Sequence, residues 1–392
     1  MVCSSAKTPK GINLKVPFYA HALGDSEKRA LQDSLDNPIL TSGPLCRQVE
    51  SLMSEYFLVQ GSKLVNSWTN GAVATLLAMG VGPGDEVIVP ALTFVACANV
   101  VKMVGAKVVF CDVDPNTLMM TPELIRKVFT ENTKVIMVVN LYGQLADVKS
   151  ISKSFKSEKV WILEDCAHSF ESESHGTKPG TYSDAAIFSF YATKNITCGE
   201  GGAIITNNLD LLGKIQQTCH HGMSAAAQDR FKDGIYQHWD VNILGTKANL
   251  PDILASLLVS QLEVSVIDAK LANRAAIAAR YKAGLSHLPI RFQVSVSEKE
   301  KHAWHLFAIG VDELMRDKLI IHLNNKGIGV TVNFRAIPEL KYYQNEASLQ
   351  AYPISVSWGR STLSLPLYPT MPPDQVDYVI ESVQSFYGET QK

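Results

Sequence analysis

The chain has 392 residues, 46% hydrophobic and 19% charged, enough to bury a sizeable core and to exclude a disordered polypeptide. Lys and Arg number 36 against 38 Asp and Glu, with no block of like charge, so neither nucleic acid nor a membrane surface is an expected partner. The seven cysteines, Cys3, Cys46, Cys97, Cys111, Cys166, Cys198 and Cys219, are odd in number and scattered without a CxxC pair, which argues against a disulfide framework or a zinc site and for a reducing compartment.

The first residues, MVCSSAKTPKG, carry no apolar h-region, so no signal peptide is expected. No apolar run reaches the roughly 18 residues of a membrane-crossing helix, and a soluble cytoplasmic protein is expected. Residues 1–16 read as a loose lead-in. Helical spacing follows over Ser26–Leu35 and over Pro44–Phe57, where Leu45, Val49, Leu52 and Tyr56 share a face. Then strands and helices alternate. Lys63–Asn66 is a short strand; SWTNG opens a helix over Ala72–Met79. PGDEVIVP is a turn and strand, Ala96–Met103 a helix, AKVVFCDVD a strand. Pro122–Phe129 is a helix after the cap-like Thr121. KVIMVVNLYG, VWILEDCAH, AAIFSF and GGAIITN are four more strands. Such alternation predicts a largely parallel sheet covered by helices on both faces. From Pro251 the pattern changes to a nearly continuous helix, then strands at HAWHLFAIGVD and GIGVTVNF and a last helix over Asp374–Phe386. The expected fold is α/β, with a large domain over 1–250 and a smaller α+β domain over 251–392.

Ligands of an open parallel sheet bind beyond the carboxyl ends of its strands. Four polar or aromatic features fall there. Thr69, Asn70 and Gly71 follow a strand and open a helix, as a phosphate cradle or a plain N-cap would. Phe94, after VIVP, is a core residue or a ring that stacks on a planar ligand. Glu164 and Asp165 end an apolar strand, and a buried carboxylate needs a proton or cation opposite it; His168 follows three residues later. Too few His or Asp neighbours surround them for a metal site. Lys194 lies in the loop after AAIFSF, with Ser189 and Thr193 nearby and GEGG allowing a tight backbone beyond. A lone loop lysine is usually a solvated cation. A lysine, a buried acid, an aromatic ring and a phosphate cradle at the ends of one sheet's strands are what pyridoxal phosphate requires.

The motifs EDCAHSF, GTYSDAAIFSF and ATKNITCGEGGAI together resemble the DegT/StrS family of nucleotide-sugar aminotransferases, fold-type I enzymes that use pyridoxal phosphate. The similarity runs from LTSGP near Thr41 to SLPLYP near Pro369. DPNTLMMTPE, FSFYATKNITC, HAWHLFAIGVDE and GIGVTVNFRA are most similar to the subgroup of UDP-4-amino-4-deoxy-L-arabinose aminotransferases. The resemblance implies that Lys194 is the covalent anchor of the cofactor and Asp165 the acid on its ring nitrogen. It implies that Phe94 stacks on the ring, that His168 sits near the 3-oxygen, and that Thr69, Asn70 and Ser189 contact the phosphate. It also implies a homodimer in which Lys247 and Asn249, in GTKANL, reach the partner's phosphate. Thr246 departs from the family's Tyr there, Trp68 is bulky where the family is small, and Asn333 replaces a common His.

The implied reaction moves an amino group from L-glutamate to a keto carbon, C4 rather than C3, of a nucleotide-linked keto-deoxy sugar. The rivals are a sugar dehydratase of the same fold and a non-catalytic regulator. The dehydratase relatives carry His at the anchor, whereas this chain carries Lys194; a regulator is free to lose the acid or the lysine, and both are present.

Overall fold

The computed structural model describes residues 14–224, 231–232, 235–236, 238–296, 299–345 and 348–390. Residues 1–13, most of the expected lead-in, lie outside the described residues.

Seven strands build the main sheet: β1 (Gly61–Val65), β2 (Glu86–Pro90), β3 (Lys107–Cys111), β4 (Thr133–Val139), β5 (Trp161–Asp165), β6 (Ala185–Ser189) and β7 (Gly202–Thr206). Their spatial order is β1-β7-β6-β5-β4-β2-β3. β7 runs antiparallel to both of its neighbours, and every other pairing is parallel. The inner strands are almost entirely buried, as expected for a sheet covered on both faces.

Helices α1 (Asp25–Leu35) and α2 (Pro44–Phe57) precede the sheet; α3 (Trp68–Ala78), α4 (Ala96–Met103), α5 (Pro122–Val128), α6 (Val148–Ser154) and α7 (Leu209–Thr218) follow its strands. One face packs on a cluster that includes Ala72, Leu76, Val100, Ile125, Ile151 and Ile215. The other packs on Val49, Met53 and Phe57 of α2 together with Ala255 and Leu258 of α8 (Asp252–Val259). The buried Asp252 fixes α8 to α2: its carboxylate accepts from the N–H groups of Gly43, Leu45 and Cys46 at 2.7, 3.1 and 3.0 Å. These are orphan donors of α2's first turn, so the acid satisfies groups that would otherwise be buried unpaired.

The helical stretch after Pro251 is not continuous. A 3-10 turn over Ser260–Leu262 separates α8 from α9 (Val264–Leu285). A three-stranded antiparallel sheet follows, β8 (Arg291–Phe292), β9 (Phe307–Gly310) and β10 (Thr362–Leu365), with β9 central. Its core includes Tyr281 and Leu285 of α9, Leu319 and Leu323 of α10 (Glu313–Asn325) and Val379 and Val383 of α12 (Pro373–Thr390). α11 (Pro353–Ser361) leads into β10.

GIGVTVNF does not form the expected strand. It makes isolated bridges, Ile328 to Val16 and Thr331 to Ser364, and then leaves toward the main sheet. Gly329 explains part of this: a Cβ there would lie 2.7 Å from the Phe18 backbone nitrogen, so the chain at Phe18, just past the expected lead-in, crosses it closely. Val16, placed in the lead-in from sequence, is buried in the C-terminal core.

Candidate active site

A cavity of about 470 Å³ opens beyond the carboxyl ends of the main strands, a volume suited to a cofactor or drug-sized ligand. Thr69, Phe94, Asp165, His168, Ser189 and Lys194 all line it.

Consecutive strand residues face opposite sides, which separates the two acids at the end of β5. Glu164 points away from the cavity; it accepts from Gly180 N–H at 3.0 Å, Ser183 Oγ at 2.7 Å and Asn140 Nδ2 at 3.1 Å. Asp165 faces the cavity. Its Oδ1 accepts from Ala167 N–H at 3.0 Å and its Oδ2 from the Cys97 thiol at 3.2 Å. Burial raises its pKa, and the Ala167 and Cys97 hydrogen bonds and the charge of Lys194 work against that rise. Trp68 also eases the carboxylate, though its indole N–H falls short of a hydrogen bond and is buried without a partner.

Lys194 sits on a turn closed by its own N–H to Tyr191 O at 2.9 Å. The loop is tied down by Phe190 N–H to Gly201 O, Cys198 N–H to Phe190 O, and Gln261, which clamps Thr197 from the far side. Gly199 takes φ +87°, a turn that explains a glycine in GEGG. Desolvation lowers the lysine's pKa to about 8, opposed chiefly by the charge of Asp165.

His168 and His305 lie against each other with ring centroids 4.4 Å apart and planes tilted by 35°. Burial and the charge of Lys194 hold both well below the usual histidine range, so both are neutral. His168 Nδ1 accepts from Tyr142 N–H at 3.2 Å, which leaves the proton on Nε2. Phe94 is 55% exposed at the mouth and stands 5.7 Å from Phe334, which in turn stacks on His168. The two alternatives for Phe94 are thereby separated: it is not a core residue.

The helix after β1 begins one turn earlier than expected, at Trp68, because Ser67 Oγ caps it by accepting from Asn70 N–H at 3.1 Å. Gly71 N–H is already inside the helix, bonded to Ser67 O. Thr69 lines the cavity. Asn70 does not: its side chain donates to Asn66 Oδ1 at 2.9 Å. Lys247 and Asn249 lie beside the end of β1, with Asn249 bridged to Val65, and neither lines this chain's own cavity. Lys247 is exposed; Asn249 is buried, donates to Ser42 Oγ at 2.7 Å and keeps an unpartnered Oδ1.

Several lining residues carried no role in the sequence reading: Cys97, His305 and Phe334, with Asn195 behind them. Cys97 lies three residues after Phe94 at the start of α4, a helical spacing that does carry a signal. His305 and Phe334 arrive from the C-terminal unit, and no local pattern announces them.

The residues fit pyridoxal phosphate by their chemistry: an amine of lowered proton affinity, a buried carboxylate with no cationic hydrogen-bond donor of its own, an open aromatic face and a helix N-terminus. A mostly parallel sheet with that set at its strand ends defines a fold-type I aminotransferase. The chain belongs to the DegT/DnrJ/EryC1/StrS aminotransferase family, whose profile matches residues 21–384. It is similar to Spr1654 from Streptococcus pneumoniae, a candidate sugar aminotransferase solved in PMP and PLP forms; the PMP form is 28% identical, covers 96% of this chain and 100% of that one, and has a TM-score of 0.90. PseC of Helicobacter pylori, an aminotransferase involved in the biosynthesis of pseudoaminic acid, is 25% identical over 96% of this chain and 100% of that one, TM-score 0.86. DesV of S. venezuelae is 29% identical over 92% and 94%, TM-score 0.83. The protein is a pyridoxal phosphate-dependent sugar aminotransferase. No helix among the described residues is long and apolar enough to cross a membrane.

Proposed function

We propose that the protein transfers an amino group from L-glutamate to the C4 keto carbon of a UDP- or dTDP-linked keto-deoxy sugar, in amino-sugar biosynthesis for a surface polysaccharide or glycoconjugate. The convergence of Lys194 and Asp165 on one cavity, with Phe94 at its mouth and Thr69 and Ser189 on its wall, supports the amino transfer, and the likeness of DPNTLMMTPE and GIGVTVNFRA to the arabinose subgroup supports the C4 position. Bound pyridoxal phosphate supplies a carbonyl that condenses with amines and a ring that accepts the electrons released when an α-proton leaves.

Each residue then has a task. Lys194 Nζ would anchor the cofactor and, as a free amine, would take the proton from the donor's α-carbon and deliver it to the cofactor. Asp165 would keep the ring nitrogen protonated; its two hydrogen bonds aim the carboxylate and favour its ionised form. His168, with its proton on Nε2, donates to the ring's 3-oxygen. Thr69 and Ser189 hold phosphate oxygens, with the α3 N-terminus beneath them. Asn70 stands one residue behind as a brace, its side chain on Asn66 and its N–H held by Ser67 Oγ. Lys247 and Asn249 serve the partner's phosphate across a homodimer. The free, buried cysteines among the described residues support a cytoplasmic setting.

The test is a panel of 3-keto and 4-keto sugar nucleotides, carrying UDP, dTDP or GDP, incubated with glutamate and the purified enzyme. Product mass and NMR are expected to show a 4-amino sugar on UDP or dTDP. A 3-amino product, or turnover with none of the panel, overturns the substrate assignment.

A further inference from the structure

A hydrogen-bonded chain runs away from Lys194 into the protein. Lys194 Nζ lies 3.4 Å from His305 Nε2. His305 Nδ1 lies 3.1 Å from Asn195 Oδ1. The Asn195 amide nitrogen donates to Glu171 Oε2 at 3.0 Å and to Ala303 O at 2.9 Å. Those two acceptors fix the amide, so Oδ1 faces the histidine and can only accept. His305 therefore carries its proton on Nδ1 and turns an Nε2 lone pair to the lysine. Glu171 is buried, its pKa raised by burial and eased by Arg274 and then Asn195. Arg274 is itself buried and donates to Trp304 O and Leu367 O, both at 3.2 Å, which pins the segment that delivers His305.

We infer that His305 is a positioning residue for Lys194: its Nε2 lone pair, aimed by Asn195 and Glu171, holds the amine in line between its covalent and its proton-carrying states. This rests on Lys194 being the cofactor's anchor. The groups facing the pair are Asp165 and Cys97 toward Lys194, and His168 and Arg274 toward His305; Glu200 lines the cavity. Burial and three neighbouring positive or ionisable groups keep His305 neutral, so it acts as an acceptor and not as a base. An acceptor stabilises the charged ammonium; removing it makes the lysine release its proton more readily.

The test uses the full-length chain freed of cofactor. Acetylation of Lys194 is followed against pH by peptide mass spectrometry, beside steady-state kinetics of the holoenzyme. Wild type is expected to label with a midpoint of about 8. In His305→Phe the midpoint falls by about one pH unit, as a lost hydrogen bond to a charged donor requires. kcat falls about 10- to 100-fold through a misdirected amine, with KM for the amino donor little changed. His305→Gln, whose amide oxygen can accept, recovers most of both. An unchanged midpoint in a folded His305→Phe, or no recovery in His305→Gln, overturns the inference. Should His305→Phe not fold, 15N shifts of His305 in the wild-type chain decide: an Nδ1–H tautomer supports the inference and an Nε2–H tautomer contradicts it. Failure of borohydride to link the cofactor to Lys194 instead removes the anchor assignment on which the inference rests.

Discussion

Lys194 gives up its proton near pH 8 because the cavity removes water from the ammonium and Asp165 and Cys97 only partly replace it. An amine must be neutral to attack a carbonyl. Condensation of the cofactor-free chain with an aldehyde is expected to rise about tenfold per pH unit up to about 8 and then level, measured by stopped-flow absorbance. His168 and His305 act on stability in the opposite range. Their folded pKa values lie well below 6.5, so below pH 6.5 the unfolded chain binds more protons than the folded one, and stability falls as pH falls. Thermal melts of wild type should drop between pH 7 and pH 5, and a His305→Phe variant should lose less over that interval. Equal losses would contradict the buried neutral state.

The elements decide which residues meet. The segment before β9 illustrates it. HAWHLF reads as part of a strand, yet only Phe307–Gly310 is one. Residues 303–306 instead pair with the loop after β4: Ala303 N–H bonds Gly143 O at 2.8 Å and Leu306 N–H bonds Tyr142 O at 3.2 Å. This carries His305 from the small sheet to the large one. The approach requires Gly143, whose φ is +115° and whose Cβ, if present, would lie 2.8 Å from Trp304 N. Gly143→Ala is expected to cost about 1–3 kcal/mol by denaturant melts and to lower activity by displacing His305. A variant as stable and active as wild type would show that the crossing tolerates a side chain. The cap of α3 is a second case. Ser67→Ala should cost about 1 kcal/mol, with weaker cofactor retention, since the capped turn presents Thr69.

These particulars explain how far the sequence reaches. Lys194, Asp165, Phe94 and Thr69 follow strands whose apolar runs are unmistakable, so the sheet places them by rule. Alternation signals half-buried strands; GIGVTVNF has it, but the period also suits an extended segment spent on two single bridges before Asn333 and Phe334 enter the cavity. Thr362–Leu365, which does form a strand, follows α11 without a break and carries little local signal. His305 reaches Lys194 and Asn195 across more than a hundred residues of sequence, and such contacts have no local pattern to read.

At the scale of the whole molecule, the cavity of one chain is lined near the start of α3 by Thr69, with Ser189 also on its wall, while Lys247 lies exposed at the end of β1. The homodimer proposed above gives that lysine a cofactor to serve. Mixing Lys194→Ala chains with Lys247→Ala chains is expected to restore turnover that each lacks alone, because one of the two sites in a mixed dimer is then intact. No complementation in a verified mixture would place Lys247 outside the partner's site.

Borohydride reduction of the holoenzyme, followed by peptide mass spectrometry, asks whether Lys194 is the covalent anchor of the cofactor. A single pyridoxyl adduct is expected on the peptide containing Lys194, absent from Lys194→Ala. An adduct on another lysine, or an unchanged adduct in Lys194→Ala, would contradict that assignment.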